Sequence, residues 1–181
     1  MELPGERILL REFRESDVGA LLAIHSDARV LRYYAPEVGT PEHARMLVEM
    51  FIRWANENPR QNFQFAIVDI KTNALLGSCG VRSKGYPPGK ADFGIGIGAD
   101  WWGRGIAQEA ARIILRFGFA EFDLHEVRGV AVSENETVTK FARRLGFNPG
   151  PARQGEAWMT ERDWRAVDWV ITRETWEELA G

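Results

Sequence analysis

The sequence predicts an α/β (α+β) fold that forms a single domain over residues 1–181. The length of 181 residues and the hydrophobic content of 45% are sufficient for one domain with one core. Two β-rich runs, Phe63 to Ile70 and Leu75 to Ser83, are separated by a short segment of turn composition and should pair antiparallel. After them, strand and helix patterns alternate in the order β-α-β-α-β-β. This order favours a central sheet with helices packed against it.

The amino-terminal part of the chain contains one predicted strand and two predicted helices. Ile8-Leu9-Leu10 has the composition of a short strand, and Ser16 is the expected N-cap of a helix whose apolar residues repeat at helical spacing. Thr40-Pro41-Glu42 combines a hydroxyl cap, a proline at the first helical position and an early acid, which predicts the start of a second helix. That helix should end near Asn58-Pro59.

The rest of the chain is predicted from the same signals, with Lys84 to Lys90 as a loop because it holds two glycines and two prolines. Glycine at position 146 marks the end of the second of the two later helices. The predicted strands are Ala91 to Gly98, Val127 to Val132, Glu156 to Met159 and Val167 to Thr172, and the predicted helices are Gly105 to about Phe119 and Glu134 to Leu145.

Composition argues against several functional classes. The net charge of -3 and the absence of a basic run give no footprint for DNA or RNA. Cys79 is the only cysteine, so an intramolecular disulfide is impossible, and the three scattered histidines have no metal-binding spacing. No signal-peptide layout and no membrane-length apolar run is present. We therefore expect a soluble cytoplasmic protein without a metal, and Cys79 as a buried small hydrophobe.

The turn after the predicted strand Ala91 to Gly98 has the composition of an anion-binding site. Gly103-Arg104-Gly105-Ile106-Ala107 opens a helix, where small residues let the backbone approach a ligand and the first N–H groups carry the positive end of the helix dipole. A phosphate loop would need Lys-Ser/Thr where Ile106-Ala107 stands, and Gly94-Ile95-Gly96-Ile97-Gly98-Ala99 spells a dinucleotide motif but lies within a strand. The alternatives are a pyrophosphate site and a plain strand-to-helix turn.

Several segments resemble the GNAT acetyltransferase superfamily. Trp102 to Ala107 is similar to its cofactor turn, Gln/Arg-x-x-Gly-x-Gly/Ala, with Trp102 in place of the usual Gln or Arg. Val132-Ser133-Glu134-Asn135 followed by Leu145-Gly146-Phe147 resembles a segment of the ribosomal-protein N-terminal acetyltransferases (RimJ/RimL type). The opening Arg7 to Arg11 with Asp17, and the closing Asp168 to Trp176, resemble the ends of the same subfamily. The resemblance implies a GNAT fold, whose mostly antiparallel mixed sheet is splayed at its middle and carries helices on both faces.

The resemblance also implies acetyl-CoA as the cofactor and assigns residues to it. The expected pyrophosphate site consists of Trp102, Gly103, Arg104, Gly105, Ile106 and Ala107. Free backbone groups of Ile95, Gly96 and Ile97 would take the pantetheine arm, the N–H of Ile97 would stabilise the oxyanion, and Asn135 would bind the arm or act as a helix N-cap. Lys140 and Arg143 could reach CoA phosphates, against the alternative of a solvated helix face.

The catalytic side chains are less clearly marked. Asp92 stands where many relatives carry a glutamate base, although a solvated ion pair is the alternative. Val138 and Ala142 occupy the positions where relatives have a serine near the sulfur and a tyrosine acid, so neither can donate a proton to the leaving thiolate. Ser133, Thr137, Thr139 or a water are the remaining candidates for that donor.

The resulting prediction is an enzyme that transfers acetyl from acetyl-CoA to a primary amine, on either a protein N-terminus or a small molecule. The competing hypotheses are a catalytically degenerate acyl-CoA-binding module, motivated by Val138 and Ala142, and a nucleotide-binding regulatory domain. Tyr33, Tyr34 and the aromatic residues of the tail are candidates for the acceptor cleft. Exposed aromatic residues of that tail would also support a homodimer.

Overall fold

The computed structural model describes residues 1–180. Its strands are β1 (Glu2–Pro4), β2 (Ile8–Arg11), β3 (Asn62–Asp69), β4 (Leu75–Arg82), β5 (Lys90–Ile97), β6 (Glu126–Val132), β7 (Asn148–Gln154) and β8 (Arg165–Thr172). Its helices are α1 (Val18–Ser26), α2 (Ala28–Leu31), α3 (Pro41–Ala55), α4 (Ile106–Arg116), α5 (Glu136–Arg144), α6 (Ala157–Thr160) and α7 (Arg173–Ala180). No helix in this described part of the chain is both long and apolar enough to cross a bilayer.

All eight strands form one open sheet in the order β1-β2-β3-β4-β5-β6-β8-β7. Every neighbouring pair is antiparallel except β5 and β6, which are parallel. These two strands pair only between Lys90–Asp92 and Glu126–Arg128, at their amino-terminal ends. Beyond Asp92 and Arg128 the ladder stops while both strands continue, so a wedge opens between them. The mixed sheet that splays at its middle is therefore confirmed.

Side chains along each strand point alternately to the two faces of the sheet, so both faces carry apolar residues that helices cover. On β3, Phe65 and Ile67 belong to the main core with Ile114 and Leu115 of α4, whereas Ala66 packs on the opposite face against α1 and α3. Ile114 and Leu115 are fully buried, and burying a side chain of this size stabilises a fold by about 1.5–3 kcal/mol. Packing of its apolar face thus holds α4 beside β5.

Two local predictions are wrong. Ser16 does not cap α1; Asp17 occupies the N-cap, and its carboxylate accepts from the Arg14 N–H and from the Arg11 guanidinium, each over 2.8 Å. Glu156 to Met159 is not a strand either, because the chain coils there into α6 with Met159 N–H donating to the Glu156 carbonyl.

Two strands are missing from the prediction, β1 and β7, and β7 contains Pro149 and Pro151. Proline has no N–H to donate to a sheet ladder, so a segment with two prolines is predicted as a loop from the sequence. They are tolerated because β7 lies at the edge of the sheet, where one side of the strand needs no partner.

Candidate active site

A cavity of about 470 Å³ lies at the wide end of the wedge between β5 and β6. Strand β5, the turn before α4 with the first residues of that helix, one face of α5, and α2 with the segment after it contribute to its wall. The lining residues are Val30, Tyr33, Tyr34, Ile95, Gly96, Ile97, Trp101, Trp102, Gly103, Gly105, Ile106, Ala107, Gln108, Asn135, Thr137, Val138, Lys140, Phe141 and Arg144. Most of the residues that the sequence assigned to a cofactor therefore meet in one place.

The turn before α4 depends on two glycines with left-handed backbone conformations. Gly103 has φ of 73° and Gly105 has φ of 76°, a region that strains other residues. Gly105 is the N-cap of α4 and has no side chain to cap the helix. The N–H groups of Ile106, Ala107 and Gln108 have no acceptor within the helix, and the helix dipole adds positive potential. The end of α4 that borders the cavity is thus suited to hold an anion.

An ion pair fixes this turn against the amino-terminal hairpin. Glu109 accepts hydrogen bonds from the N–H groups of Glu6 and Arg7, over 2.8 and 2.9 Å, and from Arg7 Nε over 2.9 Å. Arg7 also donates to the Arg104 carbonyl over 2.7 Å. Burial alone would raise the pKa of Glu109, but these donors lower it overall, so the carboxylate is ionised. Arg7 and Glu109 therefore hold the start of α4 at a fixed position.

The backbone of β5 presents donors and acceptors to the wedge. Gly98 N–H donates to the Leu76 carbonyl of β4 over 2.8 Å, and hydrogen-bonded pairs alternate along an antiparallel ladder. With the observed register, Gly96 bonds to β4, whereas Ile95 and Ile97 direct their N–H and carbonyl groups toward the wedge. Of the three residues predicted to offer free backbone groups, Ile95 and Ile97 do so.

Trp102 links the turn to the end of β5. Its indole Nε1 donates to the carbonyl of Ile97 over 2.8 Å. The carbonyl of Ile97 is thereby satisfied, while the N–H of the same residue stays directed into the wedge. Through this contact the Trp102 indole, which can only donate, is held beside the end of β5.

The Tyr34 hydroxyl lies over Gly96, on the face of the sheet opposite the core around α4. A Cβ atom at position 96 would stand 3.6 Å from the Tyr34 hydroxyl oxygen, so glycine leaves room for the phenol. The residue is 39% exposed as a whole, but desolvation of its hydroxyl raises the pKa of Tyr34 above the ordinary 10. A protonated hydroxyl therefore borders the cavity beside the end of β5.

Asn135 begins helix α5 on the other wall. Its Oδ1 accepts from the Val138 N–H over 3.2 Å, which confirms the N-cap alternative. The amide nitrogen Nδ2 is a donor that the cap does not use, and the residue lines the cavity. Both roles considered for Asn135 are therefore compatible. Of the three hydroxyls considered as proton donors, Thr137 lines the cavity and Ser133 and Thr139 do not.

Two predicted site residues lie outside the cavity lining. Arg104 places its guanidinium 5.0 Å from the centre of the Trp101 ring, and its carbonyl accepts from Arg7. Asp92 sits at the closed end of the wedge, where Arg82 donates to its Oδ2 through two nitrogens, with Nε at 2.9 Å. Five residues separate Asp92 from Ile97, which corresponds to roughly 16 Å of strand. A role for Asp92 as base stays a prediction and requires water between it and the amine.

Sequence reasoning missed Gln108 and Arg144 as lining residues. Gln108 is in the first turn of α4, directly after the recognised glycine turn. Arg144 lies four residues after Lys140 on α5, and the two share one helix face toward the cavity. The i, i+4 spacing could have indicated Arg144 rather than Arg143, which does not line the cavity.

Comparison with known proteins identifies the family. The model of the acetyltransferase (GNAT) domain matches residues 7–148. The chain belongs to the GNAT family. It is 27% identical over 184 residues to the N-acetyltransferase YnaD of Bacillus subtilis, covering 97% of this chain and 99% of that protein. It is 23% identical over 142 residues to spermidine N(1)-acetyltransferase of Escherichia coli K12, covering 78% and 73% of the two chains.

The fold is shared with solved structures of the family. Ribosomal-protein-S5-alanine acetyltransferase from Vibrio fischeri superposes with a TM-score of 0.79 at 16% identity, covering 97% of this chain and 98% of that chain. Identity at this level shows a common architecture. Together with the family match, it makes the protein an enzyme of the N-acetyltransferase class.

Proposed function

We propose that the protein transfers an acetyl group from acetyl-CoA to a primary amine. One observation carries this proposal: the N–H groups at the start of α4, which are suited to an anion, and the open edge of β5 line the same cavity of about 470 Å³. A ligand with a pyrophosphate at one end and an acyl group at the other would use both features. Lys140 and Arg144 add positive charge to the same lining.

The residues divide the binding task between them. The N–H groups of Ile106, Ala107 and Gln108 would hold the pyrophosphate, with Gly103 and Gly105 allowing close approach. The backbone groups of Ile95 and the amide of Asn135 would take the pantetheine arm. Acetyl-CoA supplies an activated thioester carbonyl. The Ile97 N–H would stabilise the negative charge that develops on its oxygen, and positioning would supply much of the rate.

Asp92 is our candidate for the base that removes a proton from the incoming ammonium. Arg82 donates to Oδ2 of Asp92 through Nε and Nη2, and to Oε1 of Gln64 through Nη1 over 3.1 Å. Within residues 1–180, no donor reaches Oδ1 of this carboxylate. That oxygen is available to a chain of several waters, which would relay the proton across the roughly 16 Å of strand between Ile97 and Asp92.

Tyr34 is our candidate for the proton donor to the departing thiolate. Its hydroxyl borders the cavity beside Gly96, and its raised pKa keeps it protonated at neutral pH. As the carbon–sulfur bond breaks, Tyr34 would give its proton to sulfur and regain one from solvent. Thr137 is the alternative hydroxyl in the same lining. Either residue would substitute for the hydroxyls that Val138 and Ala142 lack.

The test is release of free CoA thiol from acetyl-CoA in the presence of a panel of primary amines. The panel should contain peptides with free N-termini, small amino compounds and polyamines, and CoA binding should be measured separately by calorimetry. We expect CoA binding and amine-dependent thiol release. Binding without release for every amine would instead support the degenerate acyl-CoA-binding module, and stronger binding of NAD or ATP than of CoA would support a nucleotide-binding domain.

A further inference from the structure

The segment Asp27–Tyr34, which contains α2, bridges the two halves of the sheet that part at the wedge. Three of its residues line the cavity, and the hydroxyl of Tyr34 lies over Gly96. The start of the segment contacts Asp100, which follows β5 on one half of the sheet. Its end contacts Arg162, which precedes β8 on the other half. The segment is therefore anchored on both sides of the wide end of the wedge.

Arg29 ties the start of the segment to the region of the cofactor turn. Asp27 is the N-cap of α2, and its carboxylate accepts from the Arg29 N–H over 2.9 Å and from Arg29 Nε over 3.0 Å. Nη2 of the same guanidinium donates to the Asp100 carboxylate over 2.8 Å. Asp100 belongs to the turn Ala99–Trp101, directly before Trp102. One guanidinium thus joins the cap of α2 to the chain that leads into the expected pyrophosphate site.

Arg162 ties the end of the segment to the other half of the sheet. Its Nη1 donates over 3.1 Å to the carbonyl of Arg32, the C-cap residue of α2. Its guanidinium lies 5.5 Å from the centre of the Trp158 ring and 5.3 Å from that of Trp164, an arrangement that favours a cation. Tyr33 also stacks on Trp164, with the ring centres 6.1 Å apart. These contacts hold the last residues of the segment against the loop between α6 and β8.

The position of Tyr34 depends on these anchors because the segment has little stability of its own. Helix α2 has four residues, and isolated helices shorter than about 12 residues are marginal in water. Tyr34 lies beyond the end of this helix, and 39% of the residue is exposed. A general acid must stay within about 3 Å of the atom that it protonates, and a displacement of about 1 Å can cost 100-fold in rate. Loosening of either anchor would therefore slow a step that uses the Tyr34 proton.

We propose that Arg29 and Arg162 are positioning residues that together hold the hydroxyl of Tyr34 at the end of β5. This inference rests on the proposed acetylation, in which Tyr34 protonates the departing thiolate. Neither arginine lines the cavity. Each acts through Tyr34, Arg29 from the half of the sheet that ends in β5 and Arg162 from the half that contains β8.

The first test compares turnover with and without the tyrosine hydroxyl. Arg29→Gln and Arg162→Gln should each lower kcat about threefold, and the double variant about tenfold, because exposed ion pairs and cation–π contacts are individually weak. The CoA dissociation constant, measured by calorimetry, should stay unchanged. In a Tyr34→Phe background both arginine substitutions should leave the residual kcat unchanged, because the hydroxyl that they position is absent.

The ion pair of the first anchor has a matched control elsewhere in the chain. Asp100→Asn removes the partner of Arg29 and should reproduce the kcat loss of Arg29→Gln. Asp123→Asn is the control, because Asp123 is 84% exposed and pairs with Arg173 over 2.8 Å, compared with 79% and 2.8 Å for Asp100. The control should keep the kcat of the parent, and all these variants should keep its Tm within a few degrees, since surface pairs contribute little to stability.

The second test observes Tyr34 directly by fluorine NMR of protein labelled with 3-fluorotyrosine. The chain contains three tyrosines, Tyr33, Tyr34 and Tyr86, and single substitutions by phenylalanine assign their signals. Arg29→Gln and Arg162→Gln should each move the Tyr34 signal toward its position in the unfolded protein. The Tyr86 signal should stay in place, because Tyr86 lies in the loop between β4 and β5.

Two results would overturn the inference: a Tyr34 signal that neither substitution changes, or a loss of kcat that is equally large in the parent and in the Tyr34→Phe background. The NMR measurement does not need turnover. A displaced Tyr34 signal with an unchanged kcat would therefore refute Tyr34 as the proton donor and leave its positioning by the two arginines supported.

Discussion

The two ends of the wedge are built by different means. The cofactor end consists of backbone groups: the N–H donors at the start of α4 and the open edge of β5 at Ile95 and Ile97. The proposed acceptor end consists of side chains from separate elements, namely Tyr34 after α2, Arg82 of β4 and Asp92 of β5. A backbone site is fixed by the fold itself, whereas a side-chain site can change at single positions. We therefore expect related proteins to share the way the cofactor is bound and to differ in the acceptor that they prefer.

The largest effect is expected at the junction of the two ends. Tyr34→Phe should reduce kcat by about 100-fold, the order of magnitude for loss of a general acid, while the CoA dissociation constant stays unchanged. Because the pKa of Tyr34 is raised above 10, wild-type activity that depends on its proton should persist as the pH rises to 9. Steady-state kinetics from pH 6 to 9 and calorimetry with CoA provide the measurement.

Two threonine variants complete this experiment. Thr139→Val removes a hydroxyl from α5 outside the cavity and should leave kcat unchanged. If Thr137→Val abolishes turnover and Tyr34→Phe does not, the proton donor is Thr137 and the assignment of Tyr34 is wrong.

At the cofactor end, Gly105→Val should weaken CoA binding by about 30-fold. Valine in a left-handed conformation costs about 2 kcal/mol, and this strain would displace the donors at the start of α4. Its Cβ would also stand 3.2 Å from an Arg7 nitrogen. The matched control is Gly85→Val, because Gly85 has a similar φ of 87° but open surroundings in the β4–β5 loop. Equal CoA affinities for the two variants would refute the role of the turn.

The sequence predicted the cofactor end better than the acceptor end for a physical reason. Trp102 to Ala107 is one continuous segment, and the glycine positions with positive φ mark it directly. Asn135 adds an N-cap signal that is equally local. Tyr34 comes to lie over Gly96 only because the chain reverses after α2, and no local pattern in the sequence indicates that contact.

The fold shows the same division. The hairpin of β3 and β4 and the helices α3, α4 and α5 were predicted because their signals are local. The edge strand β7 was missed because its prolines are acceptable only at the border of a sheet. Strand order, which decides that border, is a property of the complete chain.

A smaller effect is expected for Asp92→Ala, which tests the acceptor end. Loss of the base should lower kcat/KM by about tenfold at pH 6.5, where an α-amine with a pKa near 8 is mostly protonated, and by much less at pH 9. CoA affinity should not change. Asp123→Asn is the control, since Asp123 is another arginine-paired carboxylate, bound to Arg173 over 2.8 Å away from the cavity. A pH–rate profile of Asp92→Ala parallel to that of the parent would exclude Asp92 as the base.

The smallest effect is expected for the hydrogen bond between the Trp102 indole and the Ile97 carbonyl at the end of β5. Trp102→Phe keeps an aromatic ring but removes the donor to the Ile97 carbonyl, so the end of β5 loses a constraint worth about 1 kcal/mol. We expect kcat to fall about fivefold with a smaller change in CoA affinity, because the bond orients the oxyanion donor while other groups hold the cofactor. Trp54→Phe, on the side of α3 that packs against the core, should lower Tm without changing kcat. A change confined to CoA affinity would mean that Trp102 is a cofactor contact and does not position Ile97.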